Sequence, residues 1–124
     1  MGIIFGTTDG VWELNNGQNR QLGLSGKYVS HVATHEGTVL ATVPFDGAYV
    51  IKDHGEALVW EGDARACAIG TDNTYYVGTE PAMIYRSHDT GRTWLRSDKI
   101  DELTTRSDWF FPLAPHQPHV RSID

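Results

Sequence analysis

The residues with chemistry to offer are few. His116 and His119 form a His-Gln-Pro-His string with Asp108 upstream, a set of nitrogen and oxygen donors of the kind zinc accepts. Pro118 forbids the regular helix that would align the two imidazoles, and no third ligand stands at a telling spacing, so no metal and no cofactor is expected. His31, His35, His54 and His88 fall on separate strand and turn positions. Cys67 is the single cysteine; its apolar setting, Arg-Ala-Cys-Ala-Ile-Gly, reads as a small buried residue and not as a nucleophile. Trp109, Phe110 and Phe111 could line a pocket for a sugar or a peptide, or cover apolar surface on a neighbouring element, the commoner fate of large aromatics. Asp89, in Ser-His-Asp-Thr-Gly-Arg-Thr-Trp (87 to 94), could serve as an acid or ligand. A carboxylate that accepts hydrogen bonds from its own turn is a poor proton donor at neutral pH, which favours a structural role. Phosphate-cradling loops and a nucleophile elbow are absent from the sequence.

Positioning such residues falls to a chain of 124 residues, the size of one ordinary domain. Sixteen acidic against ten basic residues give a net charge of -6 and a pI near 5.4. With no Lys/Arg cluster, neither a nucleic acid nor an anionic membrane is expected as partner. The start, Met-Gly-Ile-Ile-Phe-Gly, lacks the basic region and apolar run of a secretion signal, and no stretch reaches the length of a spanning helix. A soluble, cytoplasmic protein is expected, and the lone cysteine fits a reducing compartment.

Three segments superpose: Ile-Ile-Phe-Gly-Thr-Thr from Ile3, Val-Leu-Ala-Thr-Val from Val39 and Tyr-Tyr-Val-Gly-Thr from Tyr75. Gly6, Ala41 and Gly78 fall in register at spacings of 35 and 37, each followed by a threonine. Downstream, Asn15-Asn16-Gly17, Asp53-His54-Gly55 and Asp89-Thr90-Gly91 recur at spacings of 38 and 36. Two landmarks thus give one period. Within each unit, β-branched and aromatic runs alternate with Gly, Asp, Asn and Pro, which predicts strands and tight turns. The strands are expected at 3–8, 10–15 and 19–24; at 28–35, 38–43, 47–52 and 57–62; and at 64–70, 74–79, 82–87 and 93–98. A last strand is expected at 119–124, and one helical turn could form within 99–105. The fold class is all-β, built from β-propeller blades of four antiparallel strands.

Ser87, Asp89, Gly91, Thr93 and Trp94 match S-x-D-x-G-x-T-W in full, and on these residues the chain resembles the Asp-box (BNR) repeat propellers. Asp53 and Gly55 repeat the pattern in eroded form, and Asn15 and Gly17 more faintly. The motif is expected to make the hairpin between the third and fourth strands of a blade: Asp89 accepts from its own turn, Gly91 supplies positive φ, and Trp94 wedges between blades. The resemblance also implies that these turns look away from the face that carries ligand sites. Sialidases of this group bind a carboxylate through three arginines, and Arg65, Arg106 and Arg121 lie toward the right face, with Asp9, Asp46 and Glu80 as acids. No spacing singles out a catalytic set.

The expected organisation is a single domain over 1–124. Blade 1 takes 3–24 together with a partner's 119–124, blade 2 takes 28–62 and blade 3 takes 64–98. A long loop follows at 99–118, held extended by Pro112, Pro115 and Pro118, before the closing strand at 119–124. A half-ring of about three blades with an odd strand at its end closes as a six-bladed ring in a homodimer that exchanges this strand; a fragment of a longer propeller is the other reading. The ligand face is expected to collect Thr8, Asp9, Lys27, Tyr28, Pro44, Phe45, Asp46, Asp63, Arg65, Glu80, Pro81 and residues 101–118. Arg65, Arg106, Trp109, Phe110, His116, His119 and Arg121 are its candidate ligand-binding residues. The expected function is a non-catalytic assembly or binding module that recognises protein or glycan. A sialidase-like glycoside hydrolase, or a relative that has lost the activity, is the alternative.

Overall fold

The computed structural model describes residues 2–53 and 55–97, which form three antiparallel sheets in chain order. The first is β1 (Ile3–Thr7), β2 (Gly10–Asn15) and β3 (Gln18–Gly23); the second is β4 (His31–His35), β5 (Thr38–Val43), β6 (Gly47–Lys52) and β7 (Gly55–Glu61). The third is β8 (Ala64–Ile69), β9 (Tyr75–Thr79), β10 (Ile84–Ser87) and β11 (Leu95–Arg96). Within each sheet every strand pairs with its sequence neighbour, so each is an up-and-down meander closed by short turns. No helix occurs among the described residues. The long loop at 99–118, the helical turn within 99–105 and the closing strand at 119–124 lie outside them.

Turn chemistry fixes the hairpins. Asn16 and Gly17 have φ of 53° and 76°, and Glu36 and Gly37 have φ of 49° and 82°. Two successive left-handed residues make the turn whose twist matches the flanking strands, and Asn15 faces Gln18 as His35 faces Thr38.

The repeat also reappears as a shared irregularity. The ladder between β2 and β3 shifts at Val11/Trp12, and that between β6 and β7 shifts at Ala48/Tyr49, so Leu22 and Val59 are the extra residues of equivalent bulges. Both bulges follow a glycine that opens the strand, Gly10 and Gly47.

The core lies between the sheets. Val11, Leu24, Val29, Val39, Ala41, Val43 and Ile51 fill the space between the first and second; Leu40, Ala48, Ala64, Cys67, Tyr75 and Val77 fill that between the second and third. Strand β5 contributes to both, with Val39, Ala41 and Val43 on one side and Leu40 on the other. Its near-continuous apolar run follows from that two-sided burial. Of its two threonines, Thr42 is fully buried, and its hydroxyl meets that of Ser30 at 2.9 Å.

Several strands are shorter than the sequence predicts, β4 and β11 the most. β4 begins at His31 because the amides of Val29 and Ser30 reach across to the carbonyls of Thr7 and Thr42. β11 is cut to Leu95–Arg96 because the amide of Thr93 donates to Asp89 and not to a ladder partner.

Candidate functional site

Antiparallel strands put the β1–β2, β5–β6 and β9–β10 loops at one end of the sheets and the β2–β3, β6–β7 and β10–β11 turns at the other. The two ends are built differently.

At the turn end, Ser87, Asp89, Gly91, Thr93 and Trp94 come together in one compact turn. Asp89 Oδ1 accepts from the Thr93 amide at 2.9 Å and from Ser87 Oγ at 2.7 Å, while Oδ2 accepts from Thr93 Oγ1 at 2.6 Å. Ser87 Oγ in turn accepts the Gly91 amide at 2.8 Å. The Thr93 hydroxyl, its amide and the Ser87 hydroxyl together hold the Asp89 carboxyl far below the usual carboxylate range. Such a group stays ionised and does not exchange protons near neutrality. Asn15 and Gly17, and Asp53 and Gly55, sit differently: they belong to two-residue hairpin turns, in which Asn15 faces Gln18 and Lys52 faces Gly55. Asp53 has φ of 55°, the left-handed value that Thr90 and Gly91 adopt in the third turn (61° and 94°).

At the loop end, Arg65 is the centre. The β8–β9 ladder pairs Ala64 with Thr79 and Ala66 with Gly78, so Arg65 is the extra residue of a bulge, a device that re-aims one side chain while its neighbours stay in place. Ala64 and Ala66 remain fully buried on either side of it. The Arg65 guanidinium donates through Nε and Nη2 to the two oxygens of Asp63 at 2.8 and 2.9 Å, and Nη2 also lies 2.7 Å from Glu80 Oε2. The Asp63 hydrogen bonds raise the Arg65 pKa further, against the opposing effect of burial. Asp63 Oδ1 accepts the Phe45 amide as well, at 2.8 Å, and the guanidinium lies 4.8 Å from the centre of the Phe45 ring. Phe45 has φ of 64° and is 83% exposed. A large aromatic held in the left-handed region with its ring in solvent is unfavourable on both counts, and such features cluster at functional sites.

A second paired group adjoins it. Lys27 Nζ lies 2.8 Å from Asp46 Oδ2, the Tyr49 hydroxyl donates to Asp46 Oδ1 at 2.7 Å, and Lys27 sits 5.6 Å from the Tyr49 ring centre. The Lys27 hydrogen bond pulls the Asp46 carboxyl down and pushes the Lys27 amine up; burial raises the Tyr49 phenol, helped by its bond to Asp46. Tyr28, beside Lys27, is 58% exposed.

Of the candidate ligand residues, the structure thus places Arg65 on the loop face beside Phe45, Asp63 and Glu80. Arg106, Trp109, Phe110, His116, His119 and Arg121 lie outside the described residues. Trp60 and Tyr85 were legible only as strand residues, yet their rings meet at 5.1 Å between centres, tilted by 44°. They line a pocket of about 330 Å³ with Glu80, Pro81, Met83 and Arg96. The pair joins the second sheet to the third, so no local spacing announces it. Among the described residues no group of three His, Cys, Asp or Glu side chains is arranged to hold a metal ion. No described helix is long and apolar enough to cross a membrane.

No family model matches the chain, and no curated protein matches it. Among solved structures it is similar to one described as YCF48 bound to D1 peptide, with a TM-score of 0.60 over 73% of this chain, at 17% sequence identity. The chain spans 35% of that structure's length. The three sheets are therefore β-propeller blades: the fold is all-β and propeller-like, with two blades of four strands and one of three among the described residues.

Proposed function

We propose that this chain is a non-catalytic propeller module that binds a protein or glycan ligand on its loop face, around Arg65. The observation that carries the reading is the Phe45–Arg65–Asp63–Glu80 cluster: a fixed guanidinium supports an exposed aromatic ring at the end of the propeller where ligands are expected. Ordered charge beneath a protruding ring gives a rigid anchor, the kind of residue that dominates binding surfaces. The solved neighbour is a complex with a peptide, which supports a peptide segment among the ligands of such a module. The glycosidase alternative draws less support. Arg65 already directs Nε and Nη2 at two carboxylates, and Asp46 is pulled down by Lys27 where an acid catalyst needs a raised pKa.

The same reading assigns the Ser87–Trp94 turn to the Asp-box type and a cytoplasmic setting to the chain with its one buried thiol. It also completes the ring by assembly. Among the described residues, no strand pairs with the edge of β1 that faces away from β2, and Ile3 at its start is 67% exposed. An open edge of this kind recruits a strand, and residues 119–124 of a second copy are the proposed donor, giving six blades around a two-fold axis.

Light scattering on the full chain at micromolar concentration tests the assembly: twice the 13.8 kDa chain mass is expected, and a monomer overturns the exchange. The binding reading is tested by screening peptide and glycan arrays with the wild type and with Phe45→Ser. Loss of the captured ligands in the variant is expected; identical profiles would move the site elsewhere. A panel of fluorogenic glycosides is expected to show no turnover.

A further inference from the structure

The loop face does not end at Arg65. Glu80, which contacts Arg65 at 2.7 Å, also lines the pocket walled by Trp60, Pro81, Met83 and Tyr85. Phe45, the guanidinium, Glu80 and this pocket therefore form one continuous surface at the junction of the second and third blades. Gly62 leaves room for the Trp60 ring that walls the pocket. Its φ is 146°, and a Cβ there would lie 2.5 Å from the Trp60 ring, so any larger residue would displace the indole.

The carboxylates beside this surface are already engaged. Asp63 holds Arg65 and the Phe45 amide, Glu80 holds Arg65, and Asp46 holds Lys27 and the Tyr49 hydroxyl. A sugar needs several convergent donors and acceptors that are not already committed, because each of its hydroxyls loses water on binding. What this surface offers instead is aromatic area: the tilted Trp60 and Tyr85 rings and the outer face of Phe45. Arg65 already occupies one face of the Phe45 ring, which draws down the ring's negative quadrupole and disfavours a second cation there.

Resting on the loop-face reading, we propose that the ligand is a peptide segment with two apolar side chains, one of them aromatic. The aromatic side chain enters the pocket against Trp60 and Tyr85, and its apolar neighbour packs on Phe45. The volume of about 330 Å³ is at the small end for ligand sites and suits a single large side chain.

The test is a two-dimensional amide and indole NMR titration of the full chain. The probes are N-acetyl-Trp-Phe amide, N-acetyl-Lys amide and N-acetylneuraminic acid at equal concentrations. Saturable shifts at the Trp60 indole and the Phe45 amide are expected with the Trp-Phe probe alone. In Phe45→Ser, whose native ring is mostly in solvent, the Trp-Phe affinity is expected to fall on the order of 3- to 10-fold. Tyr85→Leu keeps the strand apolar and should lower it as well. Equal or larger shifts with the sugar at these same resonances would keep the loop face and overturn the aromatic peptide. Shifts confined to turn-end amides such as Gly17 and Gly91 would overturn both, and no shift with any probe would overturn the peptide proposal.

Discussion

Trp94 donates its indole N–H to the backbone carbonyl of Val59 at 2.8 Å, from the third blade to the second. Val59 is the extra residue of the β6–β7 bulge, and a bulged residue is left out of its own ladder. An irregularity inside one blade thus supplies the acceptor that docks the next. Trp94 also donates to the Gly91 carbonyl at 3.1 Å, so the indole ties its own turn to the neighbouring blade, while its ring packs on the cluster between the two sheets.

Replacing the indole while keeping an aromatic ring removes that bond together with part of the ring packed on the cluster. Trp94→Phe is expected to destabilise the fold by at least about 1–2 kcal/mol, the cost of a lost hydrogen bond that leaves a carbonyl unsatisfied. Urea unfolding should show a lower midpoint with an unchanged slope. Stability equal to wild type would mean that the indole N–H contributes nothing to docking.

What the sequence disclosed depended on how local each cause is. Strands β5 and β6 coincide with the predicted 38–43 and 47–52, because each is bounded by turns written in adjacent residues. The Asp-x-Gly string was less informative: at Asp53 it lies in a two-residue hairpin, and at Asp89 it is part of a turn running on to Trp94. The same letters serve both geometries, since each needs left-handed backbone. Arg65 stood out as a candidate, but its aim depends on a bulge between Ala64 and Ala66 and its partner Glu80 comes from the next hairpin. The Trp60–Tyr85 pair was hidden for the same reason, being set by packing between blades.

Gly91 meets Val59 in the same contact. Its φ is 94°, and a Cβ added there would stand 2.8 Å from the Val59 Cβ. Gly91→Ala therefore combines backbone strain of about 1–3 kcal/mol with a clash. Adding Val59→Gly, which removes the Cβ that the new methyl would meet, should relieve the clash and leave the strain, so the double variant is expected to be more stable than the two single effects summed. Additive effects in this cycle would place the two residues out of contact.

The Asp89 turn predicts a pH dependence with a definite sign. Its folded pKa is depressed, chiefly by the Thr93 hydroxyl, so the unfolded chain binds the proton first as the pH falls. The stabilisation is fully present above the unfolded carboxylate pKa of about 4. It is lost progressively below that, down through the lower folded value. Asp89→Asn should be less stable than wild type at pH 7, and the gap should narrow as the pH is lowered from about 5 to 2. A gap that is constant over this range would remove the ionised carboxylate from the turn's energetics.

Cys67 reports on the opening of the blade interface. It is almost completely buried between the second and third blades; its thiol lies 3.3 Å from the Leu40 carbonyl, and burial pushes its pKa up to about 12. The thiolate is the reactive form, and at pH 8 the folded chain holds almost none of it. Labelling with an aromatic disulfide should therefore be orders of magnitude slower in the native protein than in denaturant. It should accelerate in Gly91→Ala and Trp94→Phe, which loosen the packing between the second and third blades that also buries Cys67. A native thiol that labels as fast as a free one would mean that the second and third blades do not stay packed in solution.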